Sequence, residues 1–142
     1  MTGKSRVLFI CTANAARSQM AEGLLRVKYG NRFDVYSAGT RPSRVSSRAI
    51  QVMHEIGIDI SQHHSKSIDE ISGITFDLAV TLCDNAQQIC PVVFCSKKTI
   101  HQGFPDPHLT SGGEGEILEG YRNVRDGIAT WIDTMFGTGM RI

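Results

Sequence analysis

The sequence predicts a single α/β domain over residues 1–142, with a four-stranded, mostly parallel sheet and helices on both faces. Two observations carry this prediction. Buried-strand patterns alternate along the chain with segments whose apolar residues recur at helical spacing, which is typical of βαβ units. The length of 142 residues also fits one domain, for which about 100–200 residues are usual.

Four segments are predicted to be strands. Arg6–Cys11 is a continuous apolar run, as expected for a parallel strand that is covered on both faces. Phe33–Ser37, Phe76–Leu82 and Lys98–Phe104 are the three later strands and are less uniformly apolar.

Three segments are predicted to be helices, namely Ser18–Tyr29, Ser46–Ile56 and Glu114–Phe136. Glycines follow the first two, at positions 30 and 57, where helices commonly end. Each helix carries an apolar face at i, i+3 and i+4 spacing. These faces comprise Met20, Leu24 and Val27; then Ala49, Val52, Met53 and Ile56; and finally Ile117, Tyr121, Val124, Ile128, Trp131 and Met135.

Composition excludes several classes of protein. The 15 basic and 14 acidic residues leave a net charge of +1, which argues against binding nucleic acid through bulk positive charge. The longest strongly apolar run, Val7–Cys11, is far below the ~20 residues that span a bilayer. The N-terminus has no signal-peptide pattern. We therefore expect a cytoplasmic monomer with no nucleic-acid or membrane partner.

The segment between the first strand and the first helix predicts an oxyanion-binding loop. It has the pattern Cys-x5-Arg-Ser and consists of Cys11, Thr12, Ala13, Asn14, Ala15, Ala16, Arg17 and Ser18. Small residues allow successive backbone N–H groups to converge on one point, and the following helix adds the positive end of its dipole. Arg17 adds a planar, bidentate donor that suits a tetrahedral oxyanion.

The same positive field stabilises a thiolate at Cys11, which makes this residue the candidate nucleophile. Ser18 is expected to donate a hydrogen bond to the sulfur. The competing interpretation makes Cys11 an ordinary buried strand-end cysteine and Arg17 a surface residue. The arrangement of strand, small-residue loop and helix favours the functional interpretation.

Asp106 is the candidate general acid. It lies in the segment Gly103–Pro107, where prolines on both sides stiffen the chain. Cys11, Cys83 and Asp106 each follow a predicted strand, so all three are expected at the ligand-binding edge of the sheet. An ordinary Asp-Pro turn is the alternative for Asp106.

The segments VLFICTANAARSQMAEG (7–23) and YSAGT (36–40) resemble the low-molecular-weight phosphatase superfamily. Gln-Met-Ala-Glu after the Arg-Ser pair is more similar to its arsenate reductase branch, as are IGIDIS (56–61), VTLC (80–83) and GFPDP (103–107). The resemblance implies a flavodoxin-like sheet with the anion loop after the first strand. It also implies reduction of arsenate to arsenite, as in arsenical resistance, without a cofactor.

The remaining cysteines are Cys83, Cys90 and Cys95. A reducing compartment disfavours structural disulfides, which leaves a metal site with His101 or His108, inert buried thiols, or a redox pair. The resemblance implies a relay through Cys11, Cys83 and Cys90 that thioredoxin regenerates. Cys95 matches no position of the family pattern, and we interpret it as structural.

Two other functions remain open at this point. One is a phosphatase acting on phosphotyrosine or small phosphoesters, because a phosphatase needs only the first cysteine. The other is a non-enzymatic sensor that binds an oxyanion or a metal through its cysteines.

The resemblance also implies that some members hold a structural potassium ion through Asn, Glu, Ser and Asp side chains. Asn14, Glu22 and Ser37 match these positions, but Lys66 stands where the aspartate is expected. We predict that the lysine ammonium replaces the ion and that the protein binds no metal. His63 and His64 are interpreted as part of a solvated loop.

Overall fold

A computed structural model describes residues 4–71, 73–82 and 96–137. Its centre is a parallel sheet with the strand order β2-β1-β3-β4. The strands are β1 (Ser5–Cys11), β2 (Phe33–Gly39), β3 (Leu78–Thr81) and β4 (Thr99–His101). The predicted four-stranded parallel α/β architecture is therefore confirmed.

Strand β1 lies in the middle of the sheet and is buried on both faces. Its residues Val7, Leu8, Phe9 and Ile10 are 0% exposed. Because successive side chains of a strand point to opposite faces, this burial requires cover on both sides of the sheet. The apolar run that predicted a buried strand has this physical basis.

The strand order creates a crevice at the carboxyl end of β1. The chain passes from β1 to β2 on one side and then returns to β3 on the other side. Cys11 is paired with Gly39 of β2, and Ile10 is paired with Thr81 of β3. A reversal of strand order of this kind is where open α/β sheets bind ligands, so Cys11 lies at the expected binding edge.

In the described part of the chain, three α-helices accompany the sheet, namely α1 (Arg17–Tyr29), α2 (Ser47–His54) and α3 (Glu114–Phe136). Helix α1 packs against β2 and α3, and α2 packs against α3. Ser46 caps α2 by accepting a hydrogen bond from the N–H group of Ala49. Among the described residues, no helix combines the length and the apolar character needed to cross a bilayer.

The structure corrects the sequence prediction at several element ends and on two helix faces. Val27 is 64% exposed and Ile56 is 43% exposed, so their assignment to buried faces is wrong. Both lie near the C-terminal end of a predicted helix, where no neighbouring element covers the apolar face. Strand β2 extends to Gly39 because Ala38 and Gly39 continue the pairing with β1. Strand β4 is shorter than predicted.

Candidate active site

Hydrogen bonds from neighbouring residues orient the backbone of the loop of residues 11–16. Its carbonyl groups all accept hydrogen bonds from residues outside it. The Gln19 side-chain amide donates to the carbonyl of Asn14. The other five carbonyls accept from backbone N–H groups: Cys11 from Thr40, Thr12 from Arg41, Ala13 from Ser43, Ala15 from Ser46, and Ala16 from Met20. The carbonyl and the N–H group of a trans peptide point in opposite directions. The N–H groups of the loop are therefore turned inward, away from these partners.

Helix α1 begins directly after the loop and leaves its first turn open to an anion. Ala16 is the N-cap residue and supplies no side-chain hydrogen bond, and the first turn carries no acidic residue. The first N–H groups of a helix have no partner within the helix. Together with the helix dipole, they favour a negatively charged ligand at this end.

A cavity of about 820 Å³ opens beside the loop. One wall consists of the loop residues Cys11, Thr12, Ala13, Ala15, Ala16 and Arg17. The other walls are formed by residues 43–48 and by Asp106, His108, Leu109 and Tyr121. Asn14 and Ser18 are 0% exposed and support the loop from within the protein.

Cys11 has a hydrogen-bond partner for its sulfur. Its Sγ lies 2.9 Å from the Oγ of Ser18. Asn14 donates to the same Oγ through Nδ2 at 2.7 Å, so the hydroxyl accepts from Asn14 and its proton is free to point at the sulfur. This arrangement agrees with the predicted donation from Ser18 to a Cys11 thiolate.

Asn14 holds the loop in its curled form. It adopts a left-handed backbone with φ of 51°, which asparagine tolerates better than most residues. Its Oδ1 accepts hydrogen bonds from the Lys66 backbone N–H group at 2.8 Å and from the Gln19 amide at 2.9 Å. Its Nδ2 also reaches the Ser37 hydroxyl at 3.0 Å.

Arg17 connects the loop to the segment that carries Asp106. Its Nη1 donates to the carbonyl of Phe104 at 3.1 Å, and its Nη2 lies 3.6 Å from Oδ2 of Asp106. The Arg17 side chain is 12% exposed and that of Asp106 is 35% exposed, so the carboxylate keeps contact with solvent. The structure thus brings Cys11, Arg17 and Asp106 to one cavity, as the sequence predicted.

The predictions for Cys83, Cys90 and Cys95 fall outside the described residues. The last described residue before them is Leu82, whose N–H group donates to the Ile10 carbonyl at 2.8 Å. The chain therefore reaches residue 82 beside the end of β1.

A buried carboxylate lies behind the loop, and its full set of partners was not evident from the sequence. Glu22 is 6% exposed and accepts a hydrogen bond from Arg26 Nη2 at 2.6 Å. The Ser37 hydroxyl also donates to it. The ammonium of Lys66 lies 3.9 Å from Oε1 of Glu22. The replacement of potassium by Lys66 stays a prediction, which the salt experiment below tests.

His63 belongs to the same cluster, so its interpretation as a solvated loop residue is wrong. Its side chain is 14% exposed, and its Nδ1 lies 2.9 Å from Oε1 of Gln19. Arg26 can only donate and approaches Nε2 at 3.3 Å, which places the ring proton on Nδ1. Burial lowers the pKa of His63, Arg26 and Lys66 lower it further, and the Glu22 carboxylate opposes them. His64 is exposed, as expected.

We expect the arsenate reduction that the resemblance implies to have the same rate in potassium and in sodium salts, because the Lys66 ammonium already lies beside Glu22. In Lys66→Asp, two carboxylates face each other, and potassium should raise the rate severalfold over sodium. Steady-state rates in matched chloride salts test this. Lys66→Met is the control, since it removes the charge without adding a ligand and should gain no potassium response. A potassium response of the wild type would contradict the assignment.

Gly39 allows the loop to pack against the end of β2. A Cβ atom at this position would lie 2.6 Å from the carbonyl oxygen of Thr12 and 2.9 Å from the backbone nitrogen of Asn14. We therefore expect Gly39→Ala to weaken sulfate binding at least tenfold and to lower the free energy of unfolding by about 2–3 kcal/mol. Calorimetric titration and urea unfolding measure these effects.

Gly115→Ala is the matched control, because a Cβ atom there meets nothing within 4 Å. It should bind sulfate as the wild type does. If Gly39→Ala bound sulfate as tightly as the wild type, the loop would not depend on the close packing of Gly39 against Thr12 and Asn14.

Fold and site together define a class of protein, namely parallel α/β domains with a Cys-x5-Arg-Ser loop between the first strand and the first helix. The chain belongs to the low molecular weight phosphotyrosine protein phosphatase family, whose model matches residues 6–138. The resemblance noted from the loop is thereby confirmed.

Relatives of this chain include both reductases and phosphatases. The arsenate reductase of Halalkalibacterium halodurans is 43% identical over 136 residues, which are 96% of this chain and 98% of the relative. A solved arsenate reductase in the oxidized state has a TM-score of 0.77 at 29% identity, covering 94% of this chain and 98% of its own. A low molecular weight protein tyrosine phosphatase from T. tengcongensis has a TM-score of 0.72 at 27% identity, covering 95% of this chain and 99% of its own.

Proposed function

We propose that this protein reduces arsenate to arsenite and that thioredoxin regenerates it. The observation that carries the proposal is the position of Cys11 in a loop whose N–H groups point inward, with Arg17 and Asp106 at the same cavity. Arsenate reductases that match nearly the full length of the chain at 39–43% identity support a reductase rather than a phosphatase.

The first step is attack of the Cys11 thiolate on arsenic. A sulfur–arsenic bond forms, one arsenic–oxygen bond breaks, and Asp106 supplies the proton that lets the oxygen leave as water or hydroxide. The inward N–H groups and Arg17 hold the other oxygens and offset their negative charge.

The second step uses Cys83 as the reductant. Its thiolate attacks the Cys11 sulfur, a disulfide forms, and the electron pair of the sulfur–arsenic bond remains on arsenic, which leaves as arsenite. The register supports this role, since Leu82 lies beside Ile10 and Cys83 follows directly in the chain. Two thiols are thereby oxidised while arsenic(V) becomes arsenic(III).

The third step frees the site. Cys90 attacks Cys83, Cys11 returns to its thiolate, and the Cys83–Cys90 disulfide is left for thioredoxin to reduce. Cys95 takes no part in this scheme.

The proposal predicts that Cys90→Ser stops catalytic cycling. With thioredoxin, its reductase and NADPH, the wild type should form arsenite continuously, whereas Cys90→Ser should form at most about one arsenite per enzyme molecule, because its Cys11–Cys83 disulfide persists. Quantification of arsenite against enzyme concentration measures this.

Cys95→Ser is the matched control and should cycle at the wild-type rate. Continuous turnover by Cys90→Ser would exclude the relay. Failure of the wild type to make arsenite would exclude the reductase itself.

The cavity volume favours one further candidate activity, hydrolysis of small phosphoesters. The space of about 820 Å³ exceeds what a tetrahedral oxyanion fills and leaves room for an organic leaving group. Hydrolysis of an aryl phosphate by Cys90→Ser at the wild-type rate would demonstrate this activity independently of the relay. A protein with neither activity would match the sensor hypothesis.

A further inference from the structure

Phe104 connects three separate parts of the molecule through three different groups. Its backbone N–H group donates to the Leu82 carbonyl at 3.0 Å, just beyond β3. Its carbonyl accepts the hydrogen bond from Arg17 Nη1 at 3.1 Å. Its ring packs edge-on against Trp131 of α3, with centroids 6.1 Å apart and the planes at 73°. The position of this residue therefore bears directly on Arg17.

The Phe104 ring lies in a notch of helix α3 formed by Gly127 and Trp131, which we call the α3 notch. A Cβ atom at Gly127 would lie 3.8 Å from the Phe104 ring, so the ring rests close to bare helix backbone. Trp131 lies one turn further along and contacts Phe9 of β1, with centroids 6.4 Å apart. The notch is thus fixed to the central strand that ends at Cys11.

Asp106 follows Phe104 after a single proline. Pro105 restricts the backbone between the ring and the carboxylate, and Pro107 restricts it directly after Asp106, because each proline fixes its φ angle. The Asp106 carboxylate lies 3.6 Å from Arg17, whose other nitrogen is held by the Phe104 carbonyl. A shift of the ring would move both groups that face the oxyanion.

We propose that Phe104 is a positioning residue for oxyanion binding. Because the Phe104 ring packs in the α3 notch, the residue orients the Arg17 side chain and keeps Asp106 next to Arg17. Its effect on catalysis rests on the proposed function, whereas its effect on binding does not. The site thereby depends on a helix that begins eight residues after Asp106 and lines the cavity only through Tyr121 among its described residues.

Two substitutions at Gly127 separate this role from a contribution to stability. Gly127 lies on the exposed side of α3, and alanine or leucine there is a better helix former than glycine. The Cβ atom of Gly127→Ala fits at ordinary contact distance, 3.8 Å from the ring. We expect the larger side chain of Gly127→Leu to displace the ring. We expect neither variant to have a Tm below that of the wild type.

The test is calorimetric titration of the reduced protein with sulfate, a tetrahedral probe that is not reduced. Gly127→Ala should bind within twofold of the wild type, and Gly127→Leu at least fivefold more weakly. Trp131 is the single tryptophan of the chain, so its fluorescence reports the contact. The emission should change in Gly127→Leu and not in Gly127→Ala.

A double-mutant cycle with Phe104→Ala completes the test. Phe104→Ala should also weaken sulfate binding at least fivefold, and adding Gly127→Leu should cause no further loss, because the ring through which it acts is absent. Wild-type sulfate binding by Gly127→Leu, or fully additive losses in the double variant, would overturn the proposal. A wild type that binds sulfate but makes no arsenite would overturn the proposed function and leave this inference standing.

Discussion

Replacement of Cys11 by serine should abolish arsenate reduction, with a loss on the order of 10⁴-fold or more. A serine hydroxyl is a poor nucleophile at neutral pH and has no sulfur for Cys83 to attack. The inward N–H groups and Arg17 stay in place, so sulfate binding should remain within about threefold of the wild type. Arsenite formation and calorimetric sulfate titration measure the two properties separately.

Ser18→Ala provides the control for this variant. It removes the hydroxyl that lies 2.9 Å from the Cys11 sulfur but leaves the nucleophile, so its loss should be smaller, about 10–100-fold. If Cys11→Ser reduced arsenate faster than Ser18→Ala does, a group other than the Cys11 sulfur would have to attack arsenic.

Arg17→Lys should lower kcat/KM for arsenate by about 10²–10³-fold and weaken sulfate binding by at least about tenfold. The guanidinium holds the Phe104 carbonyl through one nitrogen and approaches the Asp106 carboxylate through another. A lysine ammonium is a single point of charge and cannot keep both contacts while it also binds an oxyanion. Steady-state kinetics and sulfate titration give both values.

Arg48→Lys is the matched control for charge at the same cavity. Arg48 lines the cavity but is paired with Glu114, at 3.0 and 2.8 Å, outside the loop. We expect its kinetic constants to stay within about threefold of the wild type. If both arginine variants lost activity equally, the loss would not come from the two-nitrogen contacts of the Arg17 guanidinium. It would come from a general effect of arginine side chains at this cavity.

The sequence predicted much of the site because its signals are local. A cysteine at a strand end, five small or polar residues, an arginine and a helix start together favour a strand-to-helix turn. The apolar run of β1 likewise predicted a buried strand, whereas its position between β2 and β3 is known from the structure. Asp106 was found because it follows the last predicted strand and therefore lies at the same edge.

Other features depended on contacts between distant residues. Nothing in the pair His63 and His64 indicates that one ring is buried against Gln19 and the other is exposed. The periodicity of α1 identified the face on which Val27 lies but not how far its neighbours extend along it. The packing of the Phe104 ring on α3 could not be predicted either, since nothing in the sequence distinguishes Gly127 from other glycines in a helix.

By itself, then, the sequence determined the order of strands and helices, the oxyanion loop, and the chemical groups that can act there. Backbone conformation and side-chain periodicity are set by residues a few positions apart, so these features can be read along the chain. Tertiary structure alone decided what holds Arg17, what neutralises Glu22, and which apolar faces are covered. Those outcomes depend on packing between residues far apart in the chain, such as Arg17 and Phe104, which are 87 positions apart, and packing is fixed only when the whole fold closes.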